Sequence, residues 1–182
     1  MMIKEELAKS ITNTLFSHEG MNVFAVLDGA SVPDLPQVLY QHQPEHVCLY
    51  RGNLEPDLAS VAPYLVHVHS DTPLAAWLIR NGWGEHWGIF ALTNSDLVTM
   101  RKHFRKFLTV HDSNGKPLLF RYYDPRVLRL YLPTCNAEEL RTIFGSVSSY
   151  LLEGEDPNTL LSFQFEKNEL QQQQKSLAAA SA

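Results

Sequence analysis

Residues 23–28, VFAVLD, form an apolar run that ends in an aspartate. A run of this length without a polar interruption predicts a strand that is covered on both faces of its sheet. A helix is expected to follow over residues 34–41, and a second strand over residues 47–50. This order of strand, helix and strand is typical of a crossover connection between parallel strands.

The same alternation continues on both sides of this unit. An amphipathic helix is predicted over residues 3–15, because apolar residues recur there at intervals of three or four. Further strands are expected at residues 64–68 and 88–93, with a helix over residues 72–80 between them. The sequence therefore predicts an α/β fold with a mixed, mostly parallel sheet and flanking helices.

The pattern changes after residue 96. A helix with an apolar stripe from Leu97 to Leu108 leads into Asn114-Gly115, a pair that favours a two-residue β-hairpin turn. A two-residue turn at this pair would place Leu108 opposite Arg121. We therefore expect a C-terminal antiparallel hairpin in place of another crossover, with short helices after it.

Helix-capping signals follow the hairpin. Asp124 suits the N-cap of a short helix that has Pro125 in its first turn. Asn136 and Glu139 have the spacing of a capping box, and Gly145 suits the end of the helix that they begin. Two short helices are therefore expected between the hairpin and residue 145.

The last part of the chain has an unusual composition. Alternating apolar residues predict a final strand over residues 161–165, whereas Gln171–Gln174 and an alanine-rich end follow it. We expect a single α/β domain over residues 1–166. Residues 167–182 are expected to be a disordered or loosely helical Gln/Ala-rich tail.

Arg121 is a charged residue in a predicted apolar strand. Burying its guanidinium is costly unless a carboxylate receives it, and Asp124, Asp28 and Asp96 are the expected candidates. Arg126 lies on the other side of Asp124. Because arginine does not give up its proton, these charges are expected to hold a strand-to-helix corner together and not to perform acid–base chemistry.

Composition excludes several classes of function. The formal net charge of −5 argues against general binding of nucleic acid or of an anionic membrane. Cys48 and Cys135, the two cysteines, have no metal-type spacing, and no apolar run is long enough to cross a bilayer. Residues 1–18 do not have the pattern of a signal peptide. We therefore expect a cytoplasmic protein that contacts neither nucleic acid nor membrane.

No segment carries a recognised catalytic or cofactor-binding motif. Nucleophile-elbow, phosphate-loop and zinc-hydrolase patterns are all missing, so we expect no catalytic residues, no cofactor and no metal. Two weaker possibilities remain open. His67 and His69 would point to the same face of a strand and could chelate a metal if a third ligand arrived from elsewhere. A small enzyme or nucleotide-binding protein would have its site at the strand ends, near Asp28, Ser31, Arg51 and His69.

A basic run lies at the end of the helix before the hairpin. Cations are favoured at this position by the helix dipole, so a solvated helix end is the commoner outcome. Contact with a partner protein is the functional alternative. The candidate partner-binding residues are Arg101, Lys102, Arg105 and Lys106.

Several short motifs, in this order and spacing, resemble one bacterial family. They are LYRG at 49–52, GWG at 82–84, HFRKFL at 103–108, FRYYDPRVL at 120–128, YLP at 131–133 and FG at 144–145. The resemblance covers about residues 22–150. The family is that of the type VI secretion adaptors or effector chaperones, a domain of unknown function associated with spike-tip proteins.

The resemblance implies a non-enzymatic cytosolic adaptor. Such proteins bind a secreted type VI effector and help to load it onto the spike-tip protein, the valine-glycine repeat protein. The resemblance carries no catalytic residues. The family-motif residues Arg121, Tyr123, Asp124, Pro125 and Arg126 are interpreted as structural.

The chain departs from the family pattern after Tyr150. Relatives usually continue with a substantial helical lobe, whereas only about 30 residues remain here. A shortened adaptor could hold one partner where a longer one holds two. An immunity-type inhibitor, which would also be small and acidic, is a further alternative.

Overall fold

A seven-stranded sheet separates the protein into two apolar layers. The computed structural model describes residues 3–177. The strands of this sheet are β1 (Asn22–Asp28), β2 (His46–Cys48), β3 (Pro63–Val68), β4 (Gly88–Thr93), β7 (Val147–Glu153), β8 (Thr159–Glu166) and β9 (Glu169–Ser176). A separate two-stranded sheet consists of β5 (Thr109–His111) and β6 (Pro117–Leu119).

Helices fill most of the connections between the strands. They are α1 (Glu5–Leu15), α2 (Leu35–His42), α3 (Pro56–Val61), α4 (Pro73–Gly82), α5 (Leu97–Arg105), α6 (Pro125–Tyr131) and α7 (Ala137–Phe144), with a 3₁₀ turn at Leu132–Thr134. None of the helices within residues 3–177 combines the length and apolar character that a bilayer span requires.

The large sheet is antiparallel throughout. Its strand order is β2-β3-β1-β4-β7-β8-β9, and every neighbouring pair runs in opposite directions. The expectation of a mixed, mostly parallel sheet is therefore wrong.

Two helical crossovers do connect strands of the same direction, but each of them passes over an antiparallel strand that lies between the two. The connection through α2 joins β1 to β2 across β3, and α4 joins β3 to β4 across β1. Local periodicity cannot show that an antiparallel strand lies between two strands of the same direction.

Side chains of the interior strand β1 alternate between the two layers. Val23, Ala25 and Leu27 belong to the layer that α1, α2 and α4 cover. Phe24 and Val26 belong to the layer that α5, α6 and α7 cover. Both faces of β1 are therefore buried, which explains an apolar strand without polar alternation.

The predicted helix caps after the hairpin are present. The carboxylate of Asp124 accepts from the backbone N–H of Arg126 at the start of α6. Asn136 and Glu139 form the capping box of α7. Gly145 ends α7 with a φ of 50°, a value that favours glycine.

The glutamine-rich segment is ordered as a strand. Residues 169–176 form β9, so the expectation of a disordered or loosely helical tail from residue 167 is wrong for this part. β9 pairs along its whole length with β8, for example Gln174 with Leu161. Backbone hydrogen bonds stabilise this edge strand although nearly all its side chains are exposed. Residues 178–182 of the predicted tail lie outside the described residues.

Candidate partner-binding cleft

A cleft of about 480 Å³ opens where β2 leaves the large sheet. One wall is the segment from the end of β2 into α3, and the other is the end of α5 with the β5–β6 hairpin. Its lining combines aliphatic side chains with two arginines. The lining residues are Leu49, Tyr50, Arg51, Leu54, Leu58, Arg105, Leu108, Thr109 and Leu119.

Arg105 connects the two walls of the cleft. Its guanidinium donates to the backbone carbonyls of Cys48, Leu49 and Tyr50, at 2.9, 3.0 and 3.3 Å. These bonds satisfy carbonyl groups at the point where β2 ends. Burial lowers the pKa of Arg105, and the charges of Arg101 and Arg51 lower it further. The guanidinium stays charged, so three cations lie close together at the cleft.

The four predicted partner-binding residues have different environments. Lys102 and Lys106 are exposed on α5 and just after it, and Arg101 is half-buried. Arg105 is also half-buried and uses its guanidinium to hold the β2 end. Replacement of Arg105 would therefore change the scaffold as well as the surface.

The β5–β6 hairpin presents an apolar surface next to the cleft. All six of its strand residues are exposed. Val110, Leu118 and Leu119 are among them, and Leu58 is exposed on the opposite wall. Among the described residues, β5 and β6 pair only with each other, so their outer edges have no strand partner. Exposed aliphatic groups and open strand edges are features of protein-binding surfaces.

The hairpin register differs from the predicted one by one residue. His111 pairs with Pro117, and the N–H of Phe120 donates to the carbonyl of Leu108. The prediction that Arg121 pairs with Leu108 is therefore wrong. A three-residue loop that ends in Gly115, with a φ of 77°, replaces the two-residue turn.

The side chain of Asp112 stabilises this longer loop. Its carboxylate Oδ1 accepts from the N–H groups of Asn114 and Lys116, at 2.8 and 2.9 Å. A one-residue change of register moves side chains to the opposite face of a strand. β6 ends at Leu119, so Arg121 lies beyond the strand and not within it.

Arg121 forms an ion pair with a buried carboxylate at the end of β1. Its guanidinium donates to Asp28, which confirms one of the three expected partners. Asp28 also accepts from the N–H of Ala30 and the hydroxyl of Ser31, both at 3.0 Å. The hydrogen bond to Asp28 raises the pKa of Arg121. This pair connects the segment after the hairpin to β1, an interior strand of the large sheet.

Asp124 and Arg126 form a second ion pair at the start of α6. The guanidinium of Arg126 donates to both carboxylate oxygens of Asp124, at 3.0 and 2.7 Å. Burial opposes ionisation of Asp124, but its hydrogen bonds with Arg126 and the charges of Arg126 and Arg121 outweigh that effect. The pKa of Asp124 is therefore below its ordinary value. The shortest distance from Arg121 to Asp124 is 3.9 Å. The Arg121–Asp28 pair and the Arg126–Asp124 pair therefore adjoin each other at the start of α6.

Tyr123 and Pro125 complete this corner from the inside. Both are buried. Burial raises the pKa of Tyr123, and the neighbouring Tyr50 and Asp28 raise it further. Tyr50 also lines the cleft. Among the family-motif residues, Tyr123 therefore interacts with a residue that lines the cleft.

The strand-end residues of the enzyme alternative are divided between two ends of the sheet. Asp28 ends β1, Ser31 follows it and Arg51 follows β2, and these two strands run in the same direction. His69 follows β3, which runs the opposite way. The four residues were expected together because the sheet was expected to be mostly parallel. Because β3 is antiparallel to β1 and β2, His69 does not lie at the same end of the sheet as the other three residues.

His103 gives the basic helix a buried titratable group. Its Nε2 lies 2.8 Å from the carbonyl oxygen of Ile143. Burial lowers the pKa of His103, the bond to Ile143 opposes this effect, and the charge of Lys106 adds to it. The unfolded chain therefore takes up a proton at a pH where the folded protein does not.

We expect the free energy of unfolding to decrease as the pH falls below about 6.5, the pKa of an unperturbed histidine. His103 contributes at most about 1.4 kcal/mol per pH unit to this slope. Urea unfolding at several pH values measures it. His103→Gln, which does not titrate, should show a shallower slope, whereas the exposed His111→Gln should keep that of the natural chain. Equal slopes for the natural chain and His103→Gln would contradict this assignment.

Sequence reasoning missed one wall of the cleft. It did not predict α3, which has no buried residue and therefore shows no apolar stripe. Leu54 and Leu58 consequently had no assigned role. The sequence shows them only as two isolated leucines among polar residues and a proline. This pattern does not indicate a binding surface unless the opposite wall of the cleft is known.

A family model described as a domain of unknown function, DUF4123, matches residues 23–142. The matched region includes all residues that line the cleft. It also includes the two ion pairs, which are formed by Asp28, Arg121, Asp124 and Arg126. No curated protein and no solved structure matches the chain.

Proposed function

This chain belongs to the DUF4123 family, which is known from the effector adaptors of type VI secretion, and on that basis we propose that it is a non-enzymatic cytoplasmic adaptor. It binds a secreted effector and helps to load it onto the spike-tip protein, the valine-glycine repeat protein. Loading takes place before secretion, which is why the cytoplasm is the proposed location.

The cleft beside β2 is the observation that supports this proposal most directly. It brings exposed aliphatic side chains, Leu58 and Leu119, next to the charges of Arg51 and Arg105. An interface needs an apolar centre that excludes water and polar groups that orient the partner. The cleft offers both within the region that defines the family.

The chemistry of the cleft indicates the kind of segment that it binds. A volume of about 480 Å³ accommodates a few side chains and not a folded domain. The arginines favour a segment with acidic residues, and the leucines favour one with apolar residues. The free edge of the β5–β6 hairpin allows an extended segment to add as a further strand. We therefore propose that the effector contributes an extended acidic and apolar segment.

Co-purification tests the function as a whole. The tagged chain is co-expressed with the effector encoded beside it and with the valine-glycine repeat protein. Recovery of all three in one complex is the expected result. Recovery of the effector alone, with loss of its toxicity, would replace the adaptor by an immunity-type inhibitor. Recovery of neither protein would contradict an adaptor role.

A further inference from the structure

Three metal-ligating side chains meet at the other end of the β2–β3 pair, away from the cleft. They are Glu45, which precedes β2, and His67 and His69 at the end of β3. One potential ligand atom from each residue lies within 4.8 Å of the other two. We propose that these residues bind one divalent transition-metal ion, with Zn²⁺ as the first candidate.

The backbone brings the three side chains together. The N–H of His67 donates to the carbonyl of Glu45 at 2.8 Å, so these residues are neighbours across two strands. His69 directly follows β3 and is two residues from His67, so its side chain continues the face of the strand that His67 occupies. Their ring centroids are 4.1 Å apart. The sheet thus supplies the third ligand that two histidines alone lacked.

His67 is the fixed member of this group. It is half-buried, and its ring packs against Phe24 of β1 at a centroid distance of 4.7 Å. Glu45 and His69 are exposed, so their side chains have room to adjust. Ligand atoms at about 2.0–2.2 Å from a zinc ion lie about 3.5 Å from one another in a tetrahedral site. Small rotations of the two exposed side chains are enough to reach that geometry.

The contacts within this group of side chains fit a chelating site. The Nδ1 of His67 lies 3.0 Å from an oxygen of Glu45, so a proton occupies the position between two metal ligands. An ion pair would need only these two residues. The second imidazole, whose ring is tilted by 47° to the first, adds the donor that a metal uses. Two imidazoles and a carboxylate form a ligand set that suits zinc, and they leave a coordination position for water or a partner's side chain.

Calorimetric titration of the full chain with ZnCl₂ tests this site. The protein is purified without a histidine tag and first treated with a chelator. We expect one Zn²⁺ per chain, and the absorption spectrum of Co²⁺ added in place of zinc should report nitrogen and oxygen ligands. Glu45→Gln and His69→Gln should each weaken zinc binding by about tenfold or more. Both side chains are exposed, so the circular dichroism spectrum should not change.

His46→Gln is the matched control. His46 is adjacent to Glu45, but its Nδ1 is 2.8 Å from the carbonyl oxygen of Pro44 and it does not belong to the cluster. This variant should bind zinc like the natural chain. Failure of the natural chain to bind a stoichiometric ion would overturn the proposal. Unchanged affinity in Glu45→Gln and His69→Gln, or an equal loss in His46→Gln, would overturn it too.

Discussion

Replacing Leu58 and Leu119 together by aspartate is expected to weaken effector binding by about 30-fold or more, the loss typical of interface hot spots. The two leucines lie on opposite walls of the cleft. A carboxylate on each wall would remove the apolar contact and place a negative charge where an acidic segment is expected. Binding of the purified effector, measured by calorimetry, gives the loss directly.

The leucines are exposed enough for this change to leave the fold intact. Their exposed fractions are 46% for Leu58 and 55% for Leu119. Leu130 on α6 is a matched control, because it is an exposed leucine that does not line the cleft. Leu130→Asp should bind the effector normally. Normal binding by the double variant, or a comparable loss in Leu130→Asp, would show that the effector docks elsewhere.

The second large effect is expected on stability. Arg121→Ala should lower the free energy of unfolding by about 1–3 kcal/mol, because it leaves Asp28 buried without its cation. The side chain of Asp28 is only 2% exposed, whereas that of Arg121 is 42% exposed. Solvent around Arg121 screens the pair, so we expect less than the loss that accompanies breaking a fully buried pair. Denaturant unfolding measures the difference.

Arg80→Ala provides the control for Arg121→Ala. Arg80 is 41% exposed, and it donates to Glu5 at 2.8 Å. Glu5 is 70% exposed, so the two arginines differ mainly in the burial of their carboxylate partners. Loss of this surface pair should cost at most about 1 kcal/mol. Equal losses for both variants would show that the burial of Asp28 does not matter.

A second substitution separates charge from packing at this corner. Asp28→Asn keeps a buried polar group of similar shape, and it removes the negative charge. In the Arg121→Ala background it should recover part of the lost stability, since no uncompensated charge remains. Further destabilisation would instead indicate that Asp28 acts through its bonds with Ala30 and Ser31.

Local sequence signals predicted most of the individual elements. The strand at β1, the Asn136–Glu139 capping box and the Gly145 helix end all depend on residues within a few positions of one another. The exposed α3 and the edge strand β9 escaped prediction for the same reason. Neither has the apolar periodicity that burial produces, and contacts from distant segments stabilise them.

The candidate cleft was predicted only in part. The basic run from Arg101 to Lys106 was recognised as a possible surface, and one of its members, Arg105, does line the cleft. Its opposite wall comes from residues about 50 positions earlier. No pattern in either segment shows that they meet, because Arg105 reaches the carbonyls of Cys48 and Leu49 only in the folded chain.

The sequence by itself determined where most of the helices and strands form, which residues cap the helices after the hairpin and which family the motifs resemble. Each of these properties depends on neighbouring residues or on short motifs. Strand direction, hairpin register, the choice of Asp28 for Arg121 and the approach of Glu45 to His67 were decided only by the tertiary structure. They depend on contacts between distant segments, and the energy of such contacts exists only once the sheet has assembled.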